Sequence, residues 1–418
     1  MISMHKNQIK LLAVLIGVGC IGSVQAADLF ASQGQFSFDS SLTQSSVYRY
    51  QGDLQPAAYK AGAFFITPLL NLSLGRDDNV NLANTDKISS GFTGIAPSIA
   101  VVLPKRADQY TFNYAGNYGL YSSSHDSNYY DHLLSLQAAN EWTARNHSQV
   151  EVNYKKGHDP AGATNIVSIK PEKWHLNALR GAYVYGAEGA KGEVDLNAGY
   201  GMKRYDTDRA LTATMDRDDT NLGAAFLYRI GPATQLLAEA RHNVYKYTSG
   251  GDILNSKENH FLVGARWMMT GITDGTIKVG QTKKNFDNPT IKDYSGVGWE
   301  AIVNWAPRAY SRFSLTVSKT PSESTGNEDF ILSRENTLNW QHDWTPLWRS
   351  TLSYTDAKDN FEGTTRVDKR KVSLVQLTYS IARWLRVGGQ YQHQVRDSND
   401  STLNYTRNLY LLTLEGSM

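Results

Sequence analysis

The sequence predicts an all-β fold: a transmembrane antiparallel up-and-down β-barrel of about 18 strands, with 16 to 20 as the range. Apolar residues take every second position in segments such as 109–122, where Tyr110, Phe112, Tyr114 and Tyr118 alternate with polar or small residues. Segments of this kind repeat to the end of the chain, behind a stretch typical of an export signal. No later stretch approaches the roughly 20 apolar residues of a transmembrane helix. If the protein is in a membrane, it crosses as strands.

Residues 1–26 are predicted to be a cleaved signal peptide. Lys6 and Lys10 precede an apolar run too short to span a bilayer, and small residues lead to a cleavage site after Ala26. Cys20 supports a second interpretation, in which cleavage just before it yields an acylated lipoprotein. Either interpretation places the mature protein outside the cytoplasm.

The rest of the chain divides into a leading segment and the barrel. Residues 62–418 carry regularly spaced strand segments without a linker, so they are predicted to form one barrel. Residues 27–61 fit no membrane strand and are predicted to be a periplasmic arm or a segment that plugs the lumen. Pro68 and Pro97 lie inside the first two segments, where a closed ladder has no N–H to lose. Either these two strands carry bulges at the prolines, or the predicted strand boundaries are wrong.

The individual strands follow from the two-residue period, and their even number returns both ends of the barrel to one side of the membrane. The predicted strands are 62–74, 89–103, 109–122, 131–144, 148–157, 174–186, 191–204, 218–230, 233–247, 258–269, 274–286, 294–306, 311–320, 330–343, 348–358, 367–381, 384–396 and 403–415.

The connections alternate between tight turns and longer polar loops, which predicts turns at the periplasmic rim and loops at the cell exterior. The tight turns lie at Pro104-Lys105-Arg106, Arg145-Asn146-His147, Gly231-Pro232, Thr270-Gly271, Ala306-Pro307-Arg308 and Thr345-Pro346; the longer loops lie near 75–88, 159–173, 205–217, 248–257 and 321–329. Six tryptophans beside the tight turns predict the periplasmic aromatic girdle: Trp142, Trp267, Trp305, Trp344, Trp348 and Trp384.

The composition excludes several classes of function. Loss of the signal removes two of the 42 basic residues and none of the 40 acidic ones, so the mature chain has 40 basic and 40 acidic residues and a net charge near zero. No basic stripe could follow a nucleic-acid backbone, and nucleic acid is not an expected partner. Cys20 is the single cysteine, so the mature chain has neither disulfides nor thiolate metal sites. No hydrolase elbow, zinc motif or phosphate loop occurs, and we expect neither an enzyme nor a bound cofactor.

Two local clusters could carry chemistry. The runs at 125–127 and 158–159 join His, Asp and Ser, but neighbours along a strand point to opposite sides, so solvated loops are the favoured interpretation. A run of carboxylates could hold a hard cation such as Ca²⁺ or simply form an exposed loop. Its members are Asp206, Asp208, Asp216, Asp218 and Asp219.

The alternation also predicts which residues line the lumen. Charged residues must face water, because a charge facing lipid at mid-depth costs about 2–4 kcal/mol. The candidates are Asn113, Asn117, Glu141, Glu151, Lys155, Glu193, Asp195, Arg229, Glu239, Arg241, Arg266, Lys278, Glu300, Arg312, Glu335, Arg386 and Gln390, joined by Thr351, Ser353 and Gln392 as hydrogen-bonding positions. Their mixed signs suit a neutral or hydrogen-bonding solute. In the other interpretation, the charges pair with one another and stiffen the wall.

Residues 67–80 read Thr-Pro-Leu-Leu-Asn-Leu-Ser-Leu-Gly-Arg-Asp-Asp-Asn-Val. This resembles the opening hairpin of the putative β-barrel porin family found in exopolysaccharide gene clusters of Gram-negative bacteria, in which a Thr-Pro strand runs into an Asp-Asp-Asn loop. Residues 128–136 and 157–162 are similar to that family as well. Asp77, Asp78 and Asn79 match its loop motif.

The resemblance implies a barrel of the Gram-negative outer membrane that exports or displays a polysaccharide. It implies as partners outer-membrane lipid and lipopolysaccharide, the polysaccharide itself, a periplasmic polysaccharide-export protein and the outer-membrane assembly machinery. Outer-membrane strands commonly end in an aromatic residue, whereas this chain ends with Leu412, Leu414 and Met418. This departure from the usual ending bears on how the assembly machinery recognises the chain.

Three functions are the main candidates, and adhesion or scaffolding is a further alternative. An exopolysaccharide conduit should have a wide, polar and weakly charged lumen. A general or small-solute diffusion porin, the alternative, should have a long loop folded inward and a constriction of basic and acidic residues. A barrel enzyme should bring Ser, His and carboxylate groups together at its rim.

Overall fold

A computed structural model describes residues 58–161, 170–267 and 272–417, which form one antiparallel sheet that closes on itself. A short strand, β1 (Tyr59–Ala61), pairs with the start of β2. The long strands are β2 (Phe64–Asp77), β3 (Ser90–Lys105), β4 (Asp108–Tyr121), β5 (Tyr129–Thr143), β6 (Asn146–Asp159), β7 (Glu172–Tyr185), β8 (Gly192–Tyr205), β9 (Arg217–Arg229), β10 (Thr234–Tyr247), β11 (Ser256–Trp267), β12 (Thr273–Phe286), β13 (Tyr294–Arg308), β14 (Ser311–Glu323), β15 (Phe330–Asp343), β16 (Trp348–Glu362), β17 (Val367–Ala382), β18 (Leu385–Ser398) and β19 (Tyr405–Ser417).

Each long strand pairs with the next along the chain, and β19 pairs with β2 from Leu409↔Asp77 to Ser417↔Leu69. The predicted antiparallel barrel of 18 strands is therefore confirmed, and each predicted segment overlaps one observed strand. β12 has 14 residues. In a strand tilted by roughly 40° from the barrel axis, 14 residues rise about 35 Å along that axis, which is enough to cross a membrane.

The two faces of the sheet follow the alternation of the sequence. On β12, Ile277 and Val279 are each 47% exposed, whereas Lys278 between them is 2% exposed. In a soluble protein the lysine would point to solvent, so the reversal marks an outer face built for lipid and an inner face built for polar groups.

The prolines of the first two strands cause neither bulges nor shifted boundaries, and both predicted explanations are wrong. Pro68 lies one residue beyond Leu69, the last residue of β2 that pairs with β19. Pro97 lies where the β3–β4 ladder is interrupted between Ile95 and Ser98, and the register on the two sides of the gap is the same. Each proline thus stands where a ladder has stopped or paused, and a missing N–H is tolerated there.

The two ends of the barrel differ in the length of their connections. At one end the described connections are 106–107, 144–145, 186–191, 230–233, 309–310, 344–347 and 383–384; at the other they are 78–89, 122–128, 206–216, 248–255, 287–293, 324–329, 363–366 and 399–404. The long loops include a four-residue helix, α1 (Arg209–Thr212). The start of β2 and the end of β19 both lie at the short-turn end of the barrel, as an even number of strands requires.

The tryptophans predicted as a girdle lie next to the short turns, and most of them point outward. Trp142, Trp344 and Trp384 are 67%, 61% and 57% exposed. The indole N–H of Trp142 donates to the hydroxyl of Ser148 at 2.8 Å. Amphipathic rings with a bonded N–H suit a membrane–water interface.

Several predictions lie outside the described residues: the signal peptide, the leading segment up to residue 57, and the turn Thr270-Gly271. The end of that leading segment forms β1, which turns back at Gly62 in the left-handed conformation, φ 61°. Among the described residues, no helix is long and apolar enough to cross a membrane.

The loop lengths predict the orientation of the barrel. Epitope tags inserted next to Ser249 or Asn327, both exposed in long loops, should be labelled by antibody on intact cells. Tags next to Arg106 or Gly231 in short turns should be labelled only after the outer membrane is permeabilised. The reverse labelling pattern would show that the orientation is wrong.

Candidate functional site: the barrel lumen

Charged side chains from strands that are not neighbours meet inside the barrel. The guanidinium of Arg241 on β10 donates to both carboxylate oxygens of Glu300 on β13, at 2.7 and 2.8 Å. Two strands lie between them, so the contact is possible only on the concave inner face. The structure thus places these two predicted lumen residues on the inner wall.

Arg241 and Glu300 belong to a four-membered ion network. Lys278 Nζ lies 3.2 Å from a carboxylate oxygen of Glu239 and 3.0 Å from one of Glu300, and Arg241 also pairs with Glu239. The two cations balance the two carboxylates. Gly264 lies opposite Lys278, and a Cβ there would come within 1.9 Å of a backbone oxygen on β12. A residue without a side chain is therefore needed beside the network.

A second group continues this wall. Arg266 on β11 pairs with Glu193 on β8 and lies 3.7 Å from Asp195. Its guanidinium also donates to the side-chain oxygen of Gln235 at 2.9 and 3.0 Å. In this group, as in the first, the charges pair with one another across the wall.

The remaining predicted wall residues are distributed around the barrel. Glu141 and Arg229 lie at the short-turn end, Glu141 exposed and paired with His147, and Arg229 bonded to the carbonyl oxygens of Ala190 and Pro232. The other charged members each have a neighbour within the wall. Glu151 lies 3.0 Å from Ser135, Arg312 3.5 Å from Asp343, Glu335 3.9 Å from Arg370 and Arg386 2.8 Å from Glu415, and Lys155 lies over the ring of Trp174 at 5.7 Å.

The uncharged wall residues form a different environment. Asn113 is 7% exposed, and Gln390 and Gln392 of β18 are 4% and 1% exposed. Neither amide atom of these two glutamines, nor the amide nitrogen of Asn117, has a hydrogen-bond partner in the described part of the protein. The hydroxyl of Ser353 is in the same condition. These groups are uncharged and buried, so a solute would reach them only where the side chains that cover them move.

The motif Asp77-Asp78-Asn79 lies where the barrel closes. Asp77, 0% exposed, accepts from Arg407 Nε on β19 at 3.0 Å to each carboxylate oxygen. Asp78 accepts from the backbone and side-chain N–H groups of Asn408, each at 2.6 Å. Asn79 donates to the carbonyl oxygen of Thr406 at 2.9 Å. All three motif residues thus join the first long strand to the last.

The same motif turns the following loop into the barrel. Asn79 donates to the carbonyl oxygen of Ala83 at 2.8 Å and accepts from the Ala83 N–H at 3.0 Å. Leu82 adopts φ 49°, a conformation that a bulky residue rarely keeps unless its surroundings impose it. We call residues 78–89 the inner loop.

The inner loop packs against an apolar patch on the inner wall. Val80 is 5% exposed and Leu82 is 7% exposed. The patch that receives Val80 consists of Phe92, Tyr121, Tyr129, Leu409 and Leu411. Across the ladders, Leu409 lies opposite Gln392 and Leu411 lies opposite Gln390. Gly75 lies opposite both Leu411 and Phe92. Residues directly opposite share one face of the sheet, so the patch belongs to the inner wall. The inner loop therefore narrows the lumen at the long-loop end.

A buried charged cluster at the long-loop end was not predicted. Lys284 on β12 lies 2.5 Å from Glu323 on β14 and 3.9 Å from Glu258 on β11. Tyr247 on β10 donates to Glu323 at 2.8 Å. The alternation that turns Lys278 inward does the same for Lys284, but Glu323 lies beyond the predicted strand 311–320. Its side chain crosses the end of β13, which no sequence pattern indicates.

The acidic run of the 206–216 loop and β9 is not a plain exposed loop. Asp216 and Asp219 are 2% and 3% exposed. Three of its five carboxylates pair with arginines: Asp216 with Arg209, Asp218 with Arg204 and Asp219 with Arg217. Asp206 lies 2.8 Å from a ring nitrogen of His175. In the described residues, no group of three or more His, Cys, Asp or Glu side chains is arranged to hold a metal ion.

His158 and Asp159 are also buried, so their interpretation as solvated-loop residues is wrong. His158 is 4% exposed, lies 2.9 Å from a carboxylate oxygen of Asp131 and stacks on Tyr129 at 4.1 Å between ring centroids. Asp159 accepts from the Trp174 indole at 3.1 Å and the Tyr205 hydroxyl at 2.8 Å. These contacts explain the two residues as part of the packed wall.

The closure predicts a large loss of stability in Asp77→Ala. The variant leaves the Arg407 guanidinium buried without its carboxylate, which should lower the free energy of unfolding by about 3–5 kcal/mol. Urea titration in detergent, followed by the shift in electrophoretic mobility on unfolding, measures this. Asp287→Ala is the control: its pair with Lys257 spans 3.7 Å between half-exposed side chains and should contribute at most ~1 kcal/mol. Equal effects of the two variants would show that the closure does not depend on this pair.

Comparisons with known proteins extend these observations. Among solved structures, the chain resembles Pseudomonas aeruginosa OpdK with vanillate, at 11% identity and TM-score 0.48, with 84% of this chain and 99% of that chain covered. It resembles Pseudomonas aeruginosa OpdL at 10% identity and TM-score 0.46, with 86% and 99% covered. The FrpB iron transporter from Neisseria meningitidis gives 11% identity and TM-score 0.42, with 79% and 62% covered. No curated protein matches the chain.

A family model described as putative beta-barrel porin 2 matches residues 53–417, nearly the whole chain. The match includes the closing strands, the motif Asp77-Asp78-Asn79 and the charged lumen wall. The chain therefore belongs to the putative beta-barrel porin 2 family and is a porin-like β-barrel of the Gram-negative outer membrane.

Proposed function

We propose that the barrel is a passage for small polar solutes through the outer membrane, narrowed by the inner loop. The observation that carries this proposal is the packing of Val80 against the apolar patch of the inner wall at the long-loop end, in a loop in which Leu82 is buried as well. A loop folded inward, together with a wall of paired basic and acidic residues, is the arrangement that we expect of a diffusion porin. A conduit for a polymer would need this loop to move aside.

The charges of the wall suit neutral solutes. The network of Arg241, Lys278, Glu239 and Glu300 has no net charge, and each member is held by its neighbours. A balanced wall gives no strong field along the lumen, so it favours neither cations nor anions. Ion selectivity should therefore be weak.

The uncharged side of the lumen supplies recognition. The amide groups of Gln390 and Gln392 and the amide nitrogen of Asn117 make no internal hydrogen bonds among the described residues. An unpaired buried amide costs about 1–3 kcal/mol, so a solute with hydroxyl groups that reached it would gain hydrogen bonds that the empty wall lacks. The solute class that fits is small, neutral and rich in hydroxyl groups.

A second candidate function is export of an exopolysaccharide, and the same side of the lumen favours it. Gln390, Gln392 and Gln394 follow one another on the inner face of β18, and each has at least one unpaired amide atom. A sugar chain could move along such a row, since many weak hydrogen bonds hold it less firmly than a few strong ones. In this function the polysaccharide, a periplasmic export protein and a displaced inner loop would be required together.

Replacing the inner loop tests the proposed restriction. A Gly-Ser segment of equal length at residues 80–87, with Asp77-Asp78-Asn79 kept, should increase single-channel conductance in planar bilayers because the apolar packing that holds the loop inside is lost. The same replacement at 287–292, an exposed loop between β12 and β13, is the control and should leave conductance unchanged. If both proteins conduct like the wild type, the inner loop does not restrict the passage.

A deletion strain distinguishes the two functions. A small-solute passage predicts slower uptake of small neutral sugars with normal surface polysaccharide, because the polymer leaves by another route. An export conduit predicts loss of secreted polysaccharide with nearly unchanged uptake. Complementation with the wild-type gene, and with the loop replacement at 287–292, should restore either phenotype. Loss of polysaccharide with unchanged uptake would contradict the small-solute proposal.

A further inference from the structure

The barrel wall splits between β13 and β14 at the long-loop end. The ladder that joins these two strands stops at Trp299↔Lys319. Beyond this pair both strands continue, β13 to its end in pairing with β12 and β14 to its end in pairing with β15. Among the described residues, no backbone hydrogen bond joins 294–298 or 320–323 to another element in place of the missing ladder. Two strand edges are therefore open along the same stretch of wall, an arrangement that sheets ordinarily avoid.

The hairpin of β14 and β15 bends into the lumen above the split. Alternation places Glu323 on the same face of β14 as Leu315. It places Phe330 on the same face of β15 as Leu338. Both leucines lie on the outer face, 40% and 45% exposed, whereas Glu323 and Phe330 are 6% and 2% exposed. The outer face of the hairpin end is thus covered by protein, and we call residues 320–332 the flap.

The layer that covers the flap is the inner face of β12 and β13. Glu323 lies 2.5 Å from Lys284, which turns into the lumen. The ring of Phe330 packs against Phe286 at 6.0 Å and against Tyr294 at 5.5 Å between centroids. Phe286 follows Lys284 by two positions on β12, and Tyr294 lies directly opposite Lys284, so all three share the inner face. The flap is therefore tucked behind the end of β13, inside the barrel.

The flap narrows the long-loop mouth from a side that the inner loop does not occupy. The inner loop packs on strands around the closure of the barrel, whereas the flap packs on β12 and β13. Tyr247 of β10 also donates to Glu323 at 2.8 Å. Two inward segments that rest on different parts of the wall thus restrict the same mouth.

The split strands have a second possible arrangement, in which they pair with each other. If the ladder continued without a shift in register, Val297 would lie opposite Pro321. That arrangement would join the open backbone edges but separate Glu323 from Lys284. The tucked arrangement keeps the buried ion pair and leaves the edges open. Each arrangement satisfies groups that the other does not, which is the condition for an element with two discrete positions.

We propose that the flap is a movable gate at the long-loop mouth. Tucked inside, it restricts the lumen; turned outward, it extends the β13–β14 ladder and widens the mouth. Glu323 is the latch of this gate, because its buried pair with Lys284 exists only while the flap is tucked. The inference rests on the proposed passage and adds a second restriction to it, one that opens without displacement of the inner loop.

A disulfide that can form only in the outward arrangement tests the movement. In Val297→Cys/Pro321→Cys the two Cβ atoms would lie about 5 Å apart once the ladder has extended, close enough for an S–S bond after a small adjustment. Cys20 is the only native cysteine, so non-reducing electrophoresis can follow the new bond. We expect the bond to form in mild oxidant and to raise single-channel conductance in planar bilayers roughly twofold, an effect that dithiothreitol reverses.

Ala301→Cys/Val317→Cys is the matched control. Ala301 lies directly opposite Val317 in the existing ladder, so this disulfide should form without any movement and leave conductance unchanged.

A second pair of variants tests the latch. Glu323→Gln removes the charge that faces Lys284, so openings to the higher conductance should become roughly tenfold more frequent. Glu362→Gln makes the same chemical change at the end of β16, directly opposite Phe330. Glu362 forms no ion pair within residues 58–161, 170–267 or 272–417, and this variant should conduct like the wild type.

The possible failures are distinguishable. If the bond between positions 297 and 321 does not form while the control bond does, the flap does not move and the inference is overturned. If the bond forms in a conducting protein and conductance stays the same, the flap does not restrict the passage, and the inference is overturned as well. A wild-type protein that conducts no ions would instead contradict the proposed passage, and with it the role of the flap as its gate.

Discussion

The structure depends on the closure of the first long strand against the last. In hydrocarbon every backbone N–H and C=O must find a partner within the protein, and an open sheet would leave two edges unpaired. The buried pair Asp77–Arg407 joins residues 330 positions apart in the chain, next to the β2–β19 ladder. The inner loop starts from this closure, because the Asn79 N–H donates to Asp77. The Asn79 side chain donates both to Thr406, next to β19's Arg407, and to Ala83 in the loop itself. Closure and restriction of the lumen are therefore one piece of local structure.

Closing the sheet also decides what the inner charges can do. A residue that turns away from lipid faces the other strands across the lumen, so Arg241 can reach Glu300 three strands away. The pairing removes the strong field that unpaired charges of one sign would create. In the passage that we propose, charge would do little to select the solute, and selection would fall to hydrogen-bonding groups such as Gln390 and Gln392. The inner wall thus has one side on which most charges pair with one another and another side of uncharged amide and hydroxyl groups.

The sequence by itself determined the fold, the strand order and the orientation of the side chains. Period-two alternation acts over neighbouring residues, so it is visible in segments such as that containing Lys278 without knowledge of the rest of the chain. The resemblance around Asp77 indicated the family, which the match over residues 53–417 confirms. Neither source indicated what Asp77 does, because its partner Arg407 is remote in sequence. Only the tertiary structure decided that Pro97 meets a pause in the ladder, that Glu323 crosses the end of β13, and which charges meet across the lumen. Those outcomes depend on register and curvature, which arise when 18 strands close together.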